Sequence, residues 1–327
     1  MSMASRERIE KLSSGFMPAR VLLTGVELKV FDAIGKKSLS AAEVAKLTRT
    51  HAESMERLLN ALVGLGVLNK KGDEFQNTPS SLTHLIEEAP EPLLHIMQHR
   101  GNMWQTWSHL DEIVKTGHVP ERRRTKKTQE SFIKGMADVG ILSAAATARL
   151  LKHELTSAGR LLDVGGGPAV YACEFARHAP NLKVTVFDLP GPLAIARETI
   201  RCAGLQSRVK VKEGDVLKSP SLGAGYDLVF MSNLIHSFKR PVAADLIRKA
   251  AKAMKKSGHM IIKDFYIKRQ GTAPVFSALF SINMLVADAG DCFTRTEVEQ
   301  WMTDAGIKPA GFVPVAKASA LLLGVKI

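Results

Sequence analysis

The chain has 327 residues, 45% hydrophobic and 24% charged, a balance that excludes a disordered polypeptide. Its length exceeds one ordinary core of about 100–200 residues, so two domains are expected, at 1–155 and 156–327. The formal net charge of +13 raises a nucleic-acid partner. Residues 1–150, however, carry 21 Lys and Arg against 17 Asp and Glu, and residues 151–327 carry 24 against 15, so no half is a polybasic arm.

Residues 6–34 read as helical, with Val21, Leu22, Val26, Val30, Phe31 and Ile34 near helical spacing and Gly35 closing the segment. Ser40, with Glu43 three residues on, forms a capping box that starts a short helix. A second helix presents Met55, Leu58, Leu59, Leu62 and Val63 on one face and stops at Gly64-Leu65-Gly66. The turn signal Lys71-Gly72-Asp73 then joins Val67-Leu68 to Glu74-Phe75-Gln76 as a small hairpin. Helix, helix and hairpin in this order describe a winged helix. The outward set on its second helix, His51, Glu53, Glu56 and Arg57, includes two acids that oppose phosphate contact, so a structural or dimerisation role is expected and no nucleic acid. The one dense basic run, Arg122 to Lys127, reads as a solvated loop.

Residues 90–155 look all-helical, with one apolar stripe at Met103, Trp104, Trp107, Leu110 and Ile113 and another through Phe132, Met136 and Ile141. From Gly159 the short apolar strands RLLDV, KVTVFD, RVKVKEG, YDLVFMS and HMIIKDF alternate with helical stretches. That alternation predicts a doubly wound parallel sheet. The N-terminal MSMASRERIEKLSS has no apolar signal region, no run reaches the ~20 apolar residues of a membrane span, and a cytoplasmic enzyme with no membrane partner is expected. Cys173, Cys202 and Cys292 form no close pair, so neither a disulfide framework nor a zinc site is expected.

The strand RLLDV runs into Gly165-Gly166-Gly167-Pro168-Ala169, where consecutive glycines let the backbone turn sharply and approach a ligand. Pro168 suits the first turn of the helix that follows. The next strand ends in Asp188, about 20 residues on, where a carboxylate can accept both ribose hydroxyls. These features fit a nicotinamide dinucleotide as well as S-adenosylmethionine. Two further acids turn the reading towards the sulfonium cofactor, Asp163 before the glycines and Asp215 in Glu213-Gly214-Asp215-Val216, and with them the strand ends are acidic. A pyrophosphate site would favour neutral or positive surroundings.

Together LLDVGGGPA, VTVFDLPG, EGDV, YDLVFMSNLIHSF and TRTEVEQWMTDAGI resemble the plant-type and bacterial small-molecule O-methyltransferase family, and SFIKGMADV and the winged helix extend the resemblance over nearly the whole chain. The resemblance implies a Rossmann-like catalytic domain and an N-terminal all-helical winged-helix domain that forms a homodimer. It implies S-adenosyl-L-methionine as cofactor, with Gly165, Gly166 and Gly167 on the methionine moiety and Asp163 nearby. Asp188 with Leu189 would hold the ribose, Asp215 with Val216 would frame the adenine, and Ser232 and Asn233 would line the pocket. His236 matches the family's general base towards an acceptor hydroxyl, and an imidazole, with an ordinary pKa near ~6.5, suits that role. Asp264 matches one of two acids that steady this histidine. The second acid falls on Thr294, which with Glu297 reads as a capping box; Asp291 is the nearby alternative. Ala169 stands where the family usually has glycine, and Ser237-Phe238 where it often has Asp-Trp. The acceptor pocket would draw on Trp104, Trp107, Phe132, Met136, Asn283 and Met284, suited to a flat apolar small molecule. Some members use this cofactor pocket for decarboxylation or hydroxylation, and a winged-helix ligand-sensing regulator is a reading from another class.

Overall fold

In the computed structural model, residues 3–120, 125–287, 290–316 and 319–327 are described. The backbone divides into two compact units, residues 1–105 with 124–138 and residues 106–123 with 139–327. The cuts fall inside the helices Leu94–Trp107 and Lys126–Leu150. The expected boundary at 155/156 marks where strand and helix begin to alternate, and residues 106–120 and 139–155 fall in the second unit. Of the basic run, Arg122, Arg123 and Arg124 and the side chains of Lys126 and Lys127 lie outside the described residues.

The first unit contains the winged helix. Its helices Ala41–Thr48 and Ala52–Gly64 bury Val44, Met55, Leu59 and Leu62 with Val26, Phe31 and Ile34 in one core. Both halves of the Ser40–Glu43 capping box are formed. The wing strands β2 (Leu68–Lys71) and β3 (Glu74–Asn77) pair antiparallel, and a two-residue strand β1 (Leu39–Ser40) adds to β3. This third strand is too short to leave an alternating pattern in the sequence. The stretch read as helical over residues 6–34 is three helices, Met3–Ser14, Phe16–Glu27 and Val30–Ile34, the last break falling at Lys29 with φ +56°.

The second unit carries a seven-stranded sheet: β4 (Arg160–Val164), β5 (Lys183–Asp188), β6 (Val209–Glu213), β7 (Tyr226–Ser232), β8 (Met254–Phe265), β9 (Ile307–Ala316) and β10 (Ser319–Lys326). The order is β6-β5-β4-β7-β8-β10-β9, with β4 to β8 parallel and β10 antiparallel to both neighbours. The doubly wound sheet expected from the sequence is present, and a C-terminal antiparallel hairpin of β9 and β10 extends its parallel part. In β10 Leu321 and Leu322 are buried on opposite faces, so the strand reads as an unbroken apolar run without alternation. β9 holds Pro309 and Pro314, which a sheet edge tolerates and its interior does not.

One face of this sheet packs Leu161, Val186, Phe230 and Ile261 under the helix Val170–His178 through Cys173, Phe175 and Ala176. The other packs Leu162, Val229, Met231 and Ile262 under the helix Arg240–Ala253 through Leu246, Ile247 and Ala250. The strand order reverses between β4 and β7, and open α/β sheets place their ligands outside such a switch point. Among the described residues no helix is long and apolar enough to cross a membrane. None of the three cysteines is in a disulfide.

Candidate active site

The loop after β4 begins the site. Gly165 and Gly167 have positive φ, +67° and +52°, and the Gly165 N–H donates to the Phe187 carbonyl (2.8 Å). A Cβ on Gly166 would lie 2.5 Å from Asp163 Oδ2 and 2.8 Å from Val186, so only glycine fits, whereas the space beside Gly167 is open. Pro168 does not enter the helix as expected. Ala169 is the N-cap, with φ +63° and ψ +20°, and the helix begins at Val170. That backbone explains the family's glycine here, because the left-handed region costs an L-residue roughly 1–2 kcal/mol.

Asp163 points to the sheet face covered by that helix, 1% exposed, and its Oδ2 has no hydrogen-bond partner among the described residues. Burial, reinforced by the charge of Asp188, pushes its carboxyl up to about 8. Asp188 ends β5, with Oδ2 accepting from the Gly167 N–H and Oδ1 from the Leu189 N–H, both at 2.7 Å. Burial raises its pKa and these two donors offset part of the rise. Each oxygen keeps acceptor capacity for a further hydroxyl. Asp215 follows β6 and accepts from the Leu217 N–H (2.8 Å), while the Val216 carbonyl accepts from Lys249 Nζ (2.7 Å). Ser232 and Asn233 follow along the end of β7. Asn233 has φ +52°, and both Ser232 Oγ and Asn233 Oδ1 are buried without partners among the described residues. The structure thus brings the predicted cofactor residues to one sheet end, with three orphaned polar atoms among them.

His236 sits in a single 3-10 turn, Ile235–Ser237, just beyond β7. Its side chain is 8% exposed, and Nδ1 lies 2.6 Å from Oδ1 of Asp264 near the end of β8. Asp264 Oδ1 also accepts from the Phe265 N–H, at 2.8 Å, which fixes the carboxylate. An acid at Nδ1 holds the proton there and leaves Nε2 as the free base, because the partner of one ring nitrogen sets the tautomer. The imidazole stacks on Phe265 (centroids 5.9 Å, 24°) and meets Phe280 edge-on (4.9 Å, 80°); Phe276 lies against both of these rings. The sequence pattern does not single out this aromatic wall, for which the i, i+4 pair Phe276 and Phe280 is the available signal.

Thr294 caps the helix Arg295–Asp304, with both halves of its capping box formed. The Asp291 carboxylate accepts from Ser281 Oγ (2.5 Å) and the Cys292 N–H (2.8 Å) and pairs with Arg240 (3.2 Å), so it is engaged elsewhere than at the imidazole. Its contribution is through the backbone: the Asp291 N–H donates to the His236 carbonyl (3.0 Å).

Of the residues expected around the acceptor, Trp107 Nε1 donates to Asn283 Oδ1 (3.2 Å) in the second unit, and Met284 is buried there. Trp104, Phe132 and Met136 belong to the first unit. There Arg20 lies over the Trp104 ring (5.6 Å) and Phe132 meets His99 (centroids 5.0 Å).

Residues 107–308 match the model of the O-methyltransferase domain, and residues 10–87 match that of the O-methyltransferase dimerisation domain. The 3-hydroxy-5-methyl-1-naphthoate 3-O-methyltransferase of Streptomyces sahachiroi is 28% identical over 96% of this chain and 94% of its own. Acetylserotonin O-methyltransferase of Gallus gallus is 28% identical over 97% and 96%. An O-methyltransferase family protein from Burkholderia thailandensis superposes with a TM-score of 0.87 at 25% identity, covering 100% of this chain and 98% of that one. With its dimerisation and catalytic domains both matched, the chain belongs to the O-methyltransferase family and is an S-adenosylmethionine-dependent O-methyltransferase of small metabolites.

Proposed function

We propose that the protein methylates a hydroxyl, phenolic in character, of a small aromatic or polyketide-like metabolite, with His236 as the general base. The observation that carries this reading is the buried His236–Asp264 pair, 2.6 Å apart, at the switch point of the sheet. The orphaned Asp163 Oδ2, Ser232 Oγ and Asn233 Oδ1 and the open space beside Gly167 fit a polar ligand across the ends of β4 to β7. On this reading Gly165, Gly166 and Gly167 flank the methionine moiety, Asp188 and Leu189 the ribose, and Asp215 and Val216 the adenine. Bound there, S-adenosylmethionine supplies an electrophilic methyl group on a cationic sulfur.

The chain's own residues then position and deprotonate. Asp264 keeps the Nδ1 proton of His236 in place, so Nε2 accepts the proton of the acceptor hydroxyl as the O–CH₃ bond forms and the S–CH₃ bond breaks. Asp264 also stabilises the imidazolium that results. Phe265 and Phe280 exclude water and wall the imidazole with flat apolar surface. Trp107, Asn283 and Met284 in the second unit remain the residues we assign to the acceptor. Positioning supplies most of the acceleration, as the reaction needs sulfur, carbon and oxygen in line.

Ile9, Leu12, Phe16 and Met17 are apolar and more than half exposed in the first two helices, which supports self-association as a homodimer through the first unit. Incubation with methyl-labelled donor and a panel of phenols, alkyl alcohols, amines and thiols tests the reaction. Label transfer to phenols is expected, and transfer to amines or thiols alone would refute the hydroxyl assignment.

A further inference from the structure

Lys263, third from the end of β8, is only 2% exposed, and no carboxylate among the described residues pairs with it. A buried ammonium is costly without a counter-charge, so buried lysines are normally paired. Its Nζ lies 5.7 Å from the centroid of the Tyr171 ring, in the first turn of the helix Val170–His178.

The sheet register shows where this cation stands. Lys263 is the register partner of Ser232 in β7, and paired residues of adjacent strands share a face. Phe230 and Ile261, two residues before each, lie on the face covered by that helix, so Ser232 and Lys263 do too. Asp264 alternates to the opposite face, towards His236. Asp163 lies on the same face two strands away, and its Oδ2 has no partner among the described residues, Lys263 included. Thus a lone cation stands beside the orphaned Ser232 hydroxyl, where the N-cap, Ala169, has no polar side chain with which to cap the helix. Cation, hydroxyl donor and free helix N-terminus all favour an anion.

We propose that Lys263 binds the carboxylate of the cofactor's amino-acid tail and so serves as a positioning residue that sets the depth of the sulfonium in the site. The inference rests on the cofactor placement given above. An α-amino acid tail carries one carboxylate and one ammonium; Lys263 takes the first, and the unpartnered Asp163 Oδ2 lies across the same face for the second.

Calorimetry on the full-length protein tests this with S-adenosylhomocysteine, S-adenosylmethionine and decarboxylated S-adenosylmethionine. Lys263→Met removes the charge at similar volume. A charge-assisted hydrogen bond is worth ~10–100-fold in affinity, so Lys263→Met should weaken both carboxylate-bearing ligands by that factor and the decarboxylated one by less than ~2-fold. Equal weakening of all three ligands, or none, would overturn the assignment. Should Lys263→Met prove insoluble, Lys263→Gln is expected to give the same ligand dependence. The unliganded Lys263→Met protein should melt no lower than wild type, because it sheds an unpaired buried charge; a lower melting temperature would make the lysine a structural residue and refute the proposal. Failure of wild type to bind S-adenosylhomocysteine would instead sink the cofactor placement, and this inference with it.

Discussion

Replacing Asp163 with asparagine probes the ligand-free site most directly. The carboxyl is raised from an ordinary 3.8 to about 8 by burial and by Asp188. Because the folded-state pKa lies above the unfolded one, the folded chain holds more protons between those values, and stability falls as pH rises through that window. Each pH unit within it costs about 1.4 kcal/mol, so at pH 7 the linkage amounts to on the order of 4 kcal/mol. Below pH 4 both states are protonated and the cost vanishes; above pH 8 it is constant. The amide of Asp163→Asn cannot ionise, so thermal unfolding of the variant should lose this component of the slope. Scanning fluorimetry of both proteins without ligand from pH 4.5 to 9 would read it as a melting-temperature gap, variant minus wild type, that grows by several degrees with pH. The amide adds a buried N–H, which shifts the whole variant curve by a constant, so the pH dependence of the gap is the diagnostic quantity. A gap independent of pH would refute the electrostatic account of Asp163.

Two further substitutions follow from the same geometry. Asp264→Asn leaves the size of the residue unchanged but cannot hold the His236 Nδ1 proton as an anion does, so kcat should fall ~10²–10⁴-fold with cofactor affinity within about twofold of wild type; a fall in affinity alone, by calorimetry, would contradict the role. In Gly166→Ala the new methyl would lie 2.5 Å from Asp163 Oδ2 and 2.8 Å from Val186, so binding of S-adenosylhomocysteine should be lost while the winged-helix unit keeps its fold, as read by calorimetry and circular dichroism.

Much of this molecule is legible in its sequence because the signals are local. The Ser40–Glu43 and Thr294–Glu297 capping boxes, the Gly72 turn and the five parallel strands are each specified by residues close together in the chain. The His236–Asp264 pairing, 28 residues apart, is legible only through the family resemblance, which puts the histidine and its acid at the ends of two neighbouring strands. What is not legible depends on partners distant in sequence. β9 carries two prolines that only its edge position excuses, and β10 runs apolar from Ala320 to Leu323 because it is covered on both faces. The engagement of Asp291 with Ser281 and Arg240, rather than with the imidazole, follows from side chains brought together by three separate elements. Ala169 is visible as an irregular position, but its left-handed backbone is not, since a favourable helix former gives no warning of a positive φ. Lys263 looks like any strand lysine; only the register and burial reveal an unpaired cation.

At the centre of the proposed reaction, His236 takes the proton of the acceptor hydroxyl as the methyl group moves. Single-turnover methyl transfer by His236→Gln, measured from pH 5 to 10 with an acceptor that wild type methylates, tests this role most directly. A loss of ~10²–10⁴-fold is expected at neutral pH, with unchanged binding of S-adenosylhomocysteine and partial recovery at high pH as a phenolic acceptor ionises by itself. Full activity of His236→Gln at neutral pH would contradict it.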